Sequence, residues 1–343
     1  MTRLKALAGS FLALATAAAA APVAAEDVNI YSYRQPELIA PLLEAFEAET
    51  GINTNVLFLD TGLVERVKAE GANSPADVIL TVDIGRLTEA KEAGVTQPVE
   101  SAVINADIPA QFRDPDGDWF ALTKRGRVVY ASKDRVGQVP ITYEELADPK
   151  WKGAICIRDG QHPYNIALIA SMIAHHGAEY TEEWLKGLKA NLARRPNGND
   201  RGQAKAIMSG ECDIALGNTY YVGLMMTNDK EPEQKEWAAA IDILFPNADG
   251  RGTHVNVSGM AMAKHAPHPE NALKLMEYLA SPEAQEIYAE QVFEYPVMPG
   301  AEASEIVRSF GEIHPDDLSL AEIAAHRSEA SEIVDKVGFN DGP

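Results

Sequence analysis

The amino-acid sequence predicts two α/β domains, each a mostly parallel sheet flanked by helices, with a cleft between them. Three observations lead there. The 343 residues exceed one ordinary domain and suit two. Short β runs and amphipathic helical stretches alternate as βαβαβα, the rhythm of a parallel sheet with both faces covered. That rhythm returns in the middle of the chain, bracketed by two apolar strands, Arg127–Ser132 and Ile241–Phe245, where the chain can cross out and back. The N-terminal domain is thus expected at 26–126 plus 247–302, and the C-terminal domain at 127–246 plus 303–343.

Residues Met1–Ala25 stand apart from this fold. Arg3 and Lys5 make a basic start, Leu4 to Ala21 is almost wholly apolar, and Val23-Ala24-Ala25 presents small residues before Glu26. This is the pattern of a signal peptide cleaved after Ala25; an N-terminal membrane anchor is the alternative. No later stretch is long and apolar enough to span a bilayer. The reading is an exported, periplasmic protein without stable membrane insertion.

Val28–Tyr33 is the first β run. Pro36 to Thr50 carries Leu38, Ile39, Leu42, Leu43 and Phe46 at helical spacing, with Pro36 suited to the first helical position and Gly51 to the stop. Thr54–Leu59 reads as a strand, Leu63–Glu70 as a helix, Asp77–Val82 as a buried strand, and Ile84–Ala93 as a helix ended by Gly94. Farther on, Ala154–Arg158 is a strand and Tyr164–His176 a helix ended by Gly177. Helices Thr181–Ala193 and Gln203–Ser209 precede the strand Asp213–Leu216. Val255–Ala263 and Pro269–Ala280 add one more strand and helix, and acidic helices from about Ser304 pack outside.

The formal charge is −21, from 51 acidic and 30 basic residues. Such a chain repels polyphosphate and anionic lipid, so no nucleic-acid partner is expected. Two cysteines exclude a disulfide-rich scaffold and a Cys-based zinc or iron–sulfur site. Export permits a bridge between Cys156 and Cys212; two buried thiols in neighbouring strands are the other possibility. The motifs G-x-S-x-G, H-E-x-x-H and G-x-x-x-x-G-K-[ST] are absent from the sequence.

In open α/β sheets the ligand sits beyond the carboxyl ends of the strands. That rule selects Tyr31 to Pro36, Thr81 to Gly85, Asp159 to Asn165 and Asn218 to Tyr221. Tyr220 and Tyr221 follow one strand and Tyr164 opens the helix after another, so three phenol oxygens can converge. A phenol of pKa about 10 ionises at neutral pH only beside a strongly charged cation. A trivalent hard ion such as Fe3+ meets that need, whereas Ca2+ or Mg2+ favours carboxylates. Alternatively, the three are cleft-lining aromatics that stack on an organic solute. Arg34 and Gln35 stand before the helix start at Pro36, where free backbone N–H groups favour an anion and Arg34 can add a bidentate clamp. A surface ion pair is the other reading of Arg34. Tyr33 fits packing or cleft equally, His162 reads as a loop residue near Tyr164, and His175-His176 read as helix caps. Asn197 to Arg201 reads as a turn leading into a helix.

Several stretches resemble the periplasmic ferric-iron-binding proteins of bacterial ABC importers, the ferric-binding-protein and FutA-like group. They are VNIYSYRQ at Val28–Gln35, SPADVILTVD at Ser74–Asp83, ALTKRGRVV at Ala121–Val129, PKWKG at Pro149–Gly153, NTYY at Asn218–Tyr221 and EYPV at Glu294–Val297. The resemblance implies a two-domain periplasmic solute-binding fold with the ligand between domains. It places Tyr220 and Tyr221 on the family's iron-binding pair and Tyr164 on the third ligand of the three-tyrosine branch. Many relatives add a His, and some a Tyr, from the first βα turn; Gln35 and Pro36 stand there instead. A Glu used elsewhere in the family after the third strand has Val82 and Asp83 as its nearest counterparts. A small anion, carbonate in the three-tyrosine branch, then completes the iron shell, held by Arg34 and Gln35. Arg125 matches an arginine near the family's cleft, where it offsets phenolate charge or locks the closed form; a structural salt bridge is its other reading.

The resemblance further implies capture of Fe3+, delivery to an inner-membrane ABC permease and its ATPase, a monomeric state, and no reaction on the cargo, so no enzyme. Two rivals stand beside it. One is the same fold holding a polyamine, sugar or other organic solute. The other is a secreted metalloenzyme using His162, His175 and nearby carboxylates.

Overall fold

The computed structural model describes residues 27–343. The signal-peptide expectation lies outside the described residues. Ten strands are described: β1 (Val28–Ser32), β2 (Thr54–Phe58), β3 (Val78–Thr81), β4 (Thr96–Gln97), β5 (Phe120–Ser132), β6 (Ile155–Cys156), β7 (Ile214–Asn218), β8 (Ile241–Leu244), β9 (Val255–Ala263) and β10 (Tyr295–Pro296). The strand order is β2-β1-β3-β9-β5-β7-β6. Helices cover the sheet, as the alternation predicts.

The pairing is mixed rather than mostly parallel. β1 runs parallel to β2 and β3, and β6 to β7. β9 runs antiparallel to β3 and β5, and β5 antiparallel to β7 and β8. The reason is connectivity. Parallel neighbours need a helical crossover each, whereas strands that leave one sheet and return to it run in opposite senses.

β5 links the two halves. Its residues Phe120 to Gly126 pair with β9, while Arg127 to Ala131 pair with β7. The expected strand Arg127–Ser132 is thus only the second half of a 13-residue strand. We refer to the β1–β2–β3–β9 side as the first lobe and the β6–β7–β8 side as the second. The return segment after β8 is fastened by Arg251, whose guanidinium pairs with Asp316 (2.9 Å) and Glu144 (3.2 Å).

Local chemistry sets the element ends. The helix Pro36–Thr50 begins with Pro at its first position and stops at Gly51, whose φ of 71° suits glycine. Its Ile39, Leu42, Leu43 and Phe46 face the core. The acidic C-terminal helices Leu320–Ala324 and Arg327–Val337 bury Leu320, Ile323 and Val334. Leu320–Ala324 packs on both Ile84–Glu92 and Pro163–His176, so the tail touches both lobes.

A buried ionic cluster sits where β5 enters the second lobe. Asp200 is fully buried and accepts from Arg127 Nη1 at 2.9 Å and Arg158 Nη1 at 3.1 Å. It also accepts the Asn218 backbone N–H at 2.9 Å. Arg127 Nη2 donates to Asn165 Oδ1 at 2.7 Å. One carboxylate therefore ties together β5, the end of β7 and the start of the helix Pro163–His176. Substituting Asp200→Asn leaves two buried guanidinium groups without a counter-charge. We expect a loss of about 3–5 kcal/mol in urea unfolding; a loss below 1 kcal/mol would refute this account.

His254, just before the returning strand, is buried, and neither ring nitrogen has a hydrogen-bond partner among the described residues. Burial, with Arg251 and Arg127 nearby, pushes it down to about 4 against the opposing pull of Asp316 and Asp83. The unfolded chain takes up this proton near the ordinary histidine pKa of about 6.5. Its contribution is thus full above that value and is lost as pH falls toward 4. Unfolding measured across that window should lose about 3 kcal/mol, and His254→Leu should flatten the slope.

Cys156 and Cys212 are joined, with Cα atoms 5.9 Å apart and a separation of 56 residues. Of the two possibilities left open by the sequence, the bridge is the one present. Closing a loop of that size contributes about 4 kcal/mol in the chain-entropy model. The double variant Cys156→Ala, Cys212→Ala should unfold at lower urea, by about 2–4 kcal/mol; an unchanged midpoint would count against it.

Candidate functional site

Between the lobes lies a cavity of about 340 Å³. All six residues singled out from the sequence line it: Tyr164, Tyr220 and Tyr221 from the second lobe, Arg34 and Gln35 from the first, and Arg125 from β5.

The tyrosines are aimed by helix starts. Tyr164 is the second residue of the helix Pro163–His176, whose first position is Pro. His162 caps that helix, its Nδ1 accepting the Tyr164 N–H at 3.2 Å. The His162 ring stands edge-on to Tyr164, centroids 4.5 Å apart. Burial beside Arg158 and Arg127 pushes His162 down to about 4, which keeps Nδ1 free to accept. His162 is therefore a cap that orients Tyr164, where the sequence suggested a loop residue. Tyr220 and Tyr221 open the helix Thr219–Met226, which follows β7 without a loop. Their rings stack at 4.2 Å, and the Tyr164 and Tyr220 hydroxyl oxygens lie 3.1 Å apart.

Two of the phenols, Tyr220 and Tyr221, resist ionisation here. Burial pushes Tyr220 well above the usual phenol range, and Tyr164 and Tyr221 add to this while Arg125 opposes it. Burial also raises Tyr221, with Tyr164 and Asp200 adding and Arg158 opposing. Near neutral pH these two groups are protonated, and only a strong cation would displace their protons.

Arginines ring the cluster. Arg34 donates from Nε to Tyr288 Oη (3.0 Å) and from Nη2 to Ser258 Oγ (2.6 Å) and Glu294 Oε1 (3.3 Å). The ion pair of Arg34 is thus internal rather than on the surface, and most of its donors are committed. Arg125 donates from Nη2 to the Val82 carbonyl, while its buried Nε and Nη1 have no partner among the described residues. The Arg125, Arg158 and Arg201 guanidinium groups lie 5.6, 5.3 and 5.1 Å from the ring centres of Tyr164, Tyr164 and Tyr221 respectively. Buried Arg201 Nε is also without a partner among the described residues. Gln35 is exposed and makes no side-chain cap bond to the helix it precedes.

Two residues of this cavity escaped the sequence reading. Glu294 is 1% exposed and accepts from Thr123 Oγ1 (2.5 Å), Ser258 Oγ (3.0 Å) and Arg34. Burial alone would raise its carboxyl; Arg125, Arg34 and the two hydroxyls outweigh this and hold it below the usual range. The signal was present in the EYPV stretch, whose acid went unassigned. Arg201 lay inside a segment read only as a turn. Tyr33 settles between its two readings: it lines the cavity, yet its hydroxyl accepts the Leu63 N–H and its ring carries Arg86 at 3.8 Å.

Carboxylate and histidine ligands do not gather. Asp83 caps the helix Ile84–Glu92 through Gly85 N (2.8 Å) and accepts from Asn256 Nδ2 (2.7 Å). His175 pairs with Asp316 at 2.8 Å. It ends the helix that His162 caps, so the two histidines are about 20 Å apart at 1.5 Å per residue. No group of three or more His, Cys, Asp or Glu among the described residues could hold a metal. The metalloenzyme reading loses its ligand set.

The chain and its fold are similar to known proteins. Residues 73–309 match the family described as bacterial extracellular solute-binding protein. The chain is 45% identical over 316 residues to iron uptake protein A1 of Synechocystis, covering 92% of this chain and 88% of that one. The ferric iron-binding protein A of Mannheimia haemolytica, solved in an open conformation, superposes with a TM-score of 0.89 at 51% identity, covering 92% of this chain and all of that one. A Trichodesmium FutA protein, solved with iron and citrate ligands, gives 0.88 at 43% identity over 91% and 99% of the two chains. These relatives are solute-binding transport proteins, not enzymes. The chain belongs to the bacterial extracellular solute-binding proteins, and its relatives include ferric-binding and FutA-like proteins.

Proposed function

We propose that this protein captures ferric ion in the interlobe cleft and hands it to an ABC importer of the inner membrane. Tyr164, Tyr220 and Tyr221 are the ligands in this reading. The observation that carries it is the meeting of three phenols, two of them 3.1 Å apart at oxygen, with guanidinium groups around them. A trivalent cation is the partner that can ionise buried phenols, and three phenolates neutralise its charge.

The first lobe lines the cavity with two acids, of which Glu294 is committed to Arg34, Thr123 and Ser258 and Glu37 is exposed on the helix Pro36–Thr50. Its contribution is a small oxyanion, carbonate or a similar group. Gln35, Arg34 and Arg125 are placed to hold it, with Arg201 facing them from the second lobe. A dianion added to a neutral ferric–tyrosinate group leaves two negative charges, which Arg125 and Arg201 offset. A polyamine would meet those arginines as like charges, so this cavity does not favour that solute. Location in the periplasm, after cleavage of the leader, agrees with the Cys156–Cys212 bridge. Delivery as a monomer to a permease and its ATPase completes the proposal.

The test is a visible absorption titration of the mature protein with ferric ion, with and without bicarbonate or citrate. Wild type should develop a coloured tyrosinate-to-iron charge-transfer band. Tyr220→Phe should shift or lose it, with affinity falling more than about 100-fold, beyond what an outer-shell change costs. Dependence on bicarbonate or on citrate identifies the anion. A colourless wild type with soluble iron present would refute the proposal.

A further inference from the structure

Two residues break local backbone preferences, and they touch each other. Phe293 ends the helix Pro282–Val292 in the left-handed region, with φ 53° and ψ 37°. Among the described residues only Asn247 shares a positive φ without being glycine. Asparagine tolerates that region, whereas a bulky aromatic there is strained, and helix ends of this kind normally use glycine. Gly223 sits inside the helix Thr219–Met226, where alanine would serve the helix better. A methyl placed on Gly223 would lie 2.5 Å from Phe293 Cγ and 2.7 Å from Cβ. No side chain fits at Gly223 while the Phe293 ring is there.

The contact joins the lobes beside the cavity. The helix before Phe293 packs on the first-lobe helix Pro36–Thr50 and on β10. Glu294, the next residue, pairs with Arg34. Gly223 belongs to the tyrosine helix, two residues after Tyr221. Strained residues persist where the surrounding structure demands them, and they cluster at ligand clamps. Two unfavourable choices meeting at one point mark a contact kept for something other than local stability.

We infer that the Phe293 ring seated on Gly223 is the contact that holds the lobes together over the cargo and sets how long the cargo is retained. This rests on the tyrosine-site reading for the identity of the cargo, but not for the lobe contact itself. Phe293 and Gly223 act through lobe position and touch no cargo.

The experiment uses Gly223→Ala, Phe293→Gly and the double variant in the mature protein. Ferric ion loaded with bicarbonate is chased with excess chelator, and the charge-transfer band is followed. Each single variant should release iron at least tenfold faster than wild type while still melting cooperatively. The double variant should release no faster than Phe293→Gly, because the added methyl has room once the ring is gone. Small-angle scattering on the metal-free proteins should give a larger radius of gyration for both single variants. Should Gly223→Ala fold poorly, Phe293→Gly decides, since it removes atoms and relieves a strained φ. Unchanged release and unchanged radius in a folded single variant overturn the inference, as do additive effects in the double variant. A wild type that binds no iron refutes the tyrosine-site reading; the scattering comparison then decides the lobe contact alone.

Discussion

The placement of the tyrosines depends on one buried carboxylate. Asp200 pairs with both Arg127 and Arg158 and receives the backbone N–H of Asn218. Arg127 in turn grips Asn165, next to Tyr164, and Asn218 lies two residues before Tyr220. The three phenols come from two helices that are distant in sequence, so their oxygens meet only if both helix starts are held in register. Backbone packing against β5 and β7 provides the coarse position. The ionic cluster, sealed from water, provides the fine one, because a buried charge tolerates little displacement from its partner.

Charge is divided sharply between surface and cleft. The chain carries a formal −21, yet its cavity is walled by Arg34, Arg125 and Arg201, with Glu294 the buried acid that answers Arg34. Unpartnered guanidinium N–H groups in a buried wall are costly unless something anionic arrives. Neutral, buried phenols are costly to ionise unless something strongly cationic arrives. Each cost is offset by the other's partner, so the cavity suits a cation and an anion together better than either alone. That coupling is a property of the wall as a whole, and no single residue in it predicts it.

The lobes are linked by a strand rather than by a loose linker. β5 belongs to both sheets, changing partner from β9 to β7 between Gly126 and Arg127. The return segment is clamped by Arg251 and the tail helix Leu320–Ala324 lies on both lobes. Relative motion of the lobes turns about these connections, and contacts at the cleft rim can bias it.

Much of this was legible in the sequence. Helix Pro36–Thr50 and strand β9 fall where periodicity and their flanking residues put them. The alternation of elements gave the α/β class, the strand-end rule led to Tyr164, Tyr220, Tyr221, Arg34 and Gln35, and the family resemblance added Arg125; all six line one cavity. These features are local or follow from topology, so a one-dimensional pattern carries them. The mixed strand direction, the continuity of β5 across both lobes and the bridge between Cys156 and Cys212 were not legible, because they depend on which distant segments become neighbours. The same holds for the commitments of Arg34 and Glu294, separated by 260 residues yet paired at 3.3 Å. The sequence by itself determined which kinds of group reach the cleft, since residue type and position at a strand end decide that. Only the tertiary structure decided which of those groups are already satisfied and which are left to meet a ligand, because a charge is spent or free according to neighbours that folding alone brings within hydrogen-bond distance.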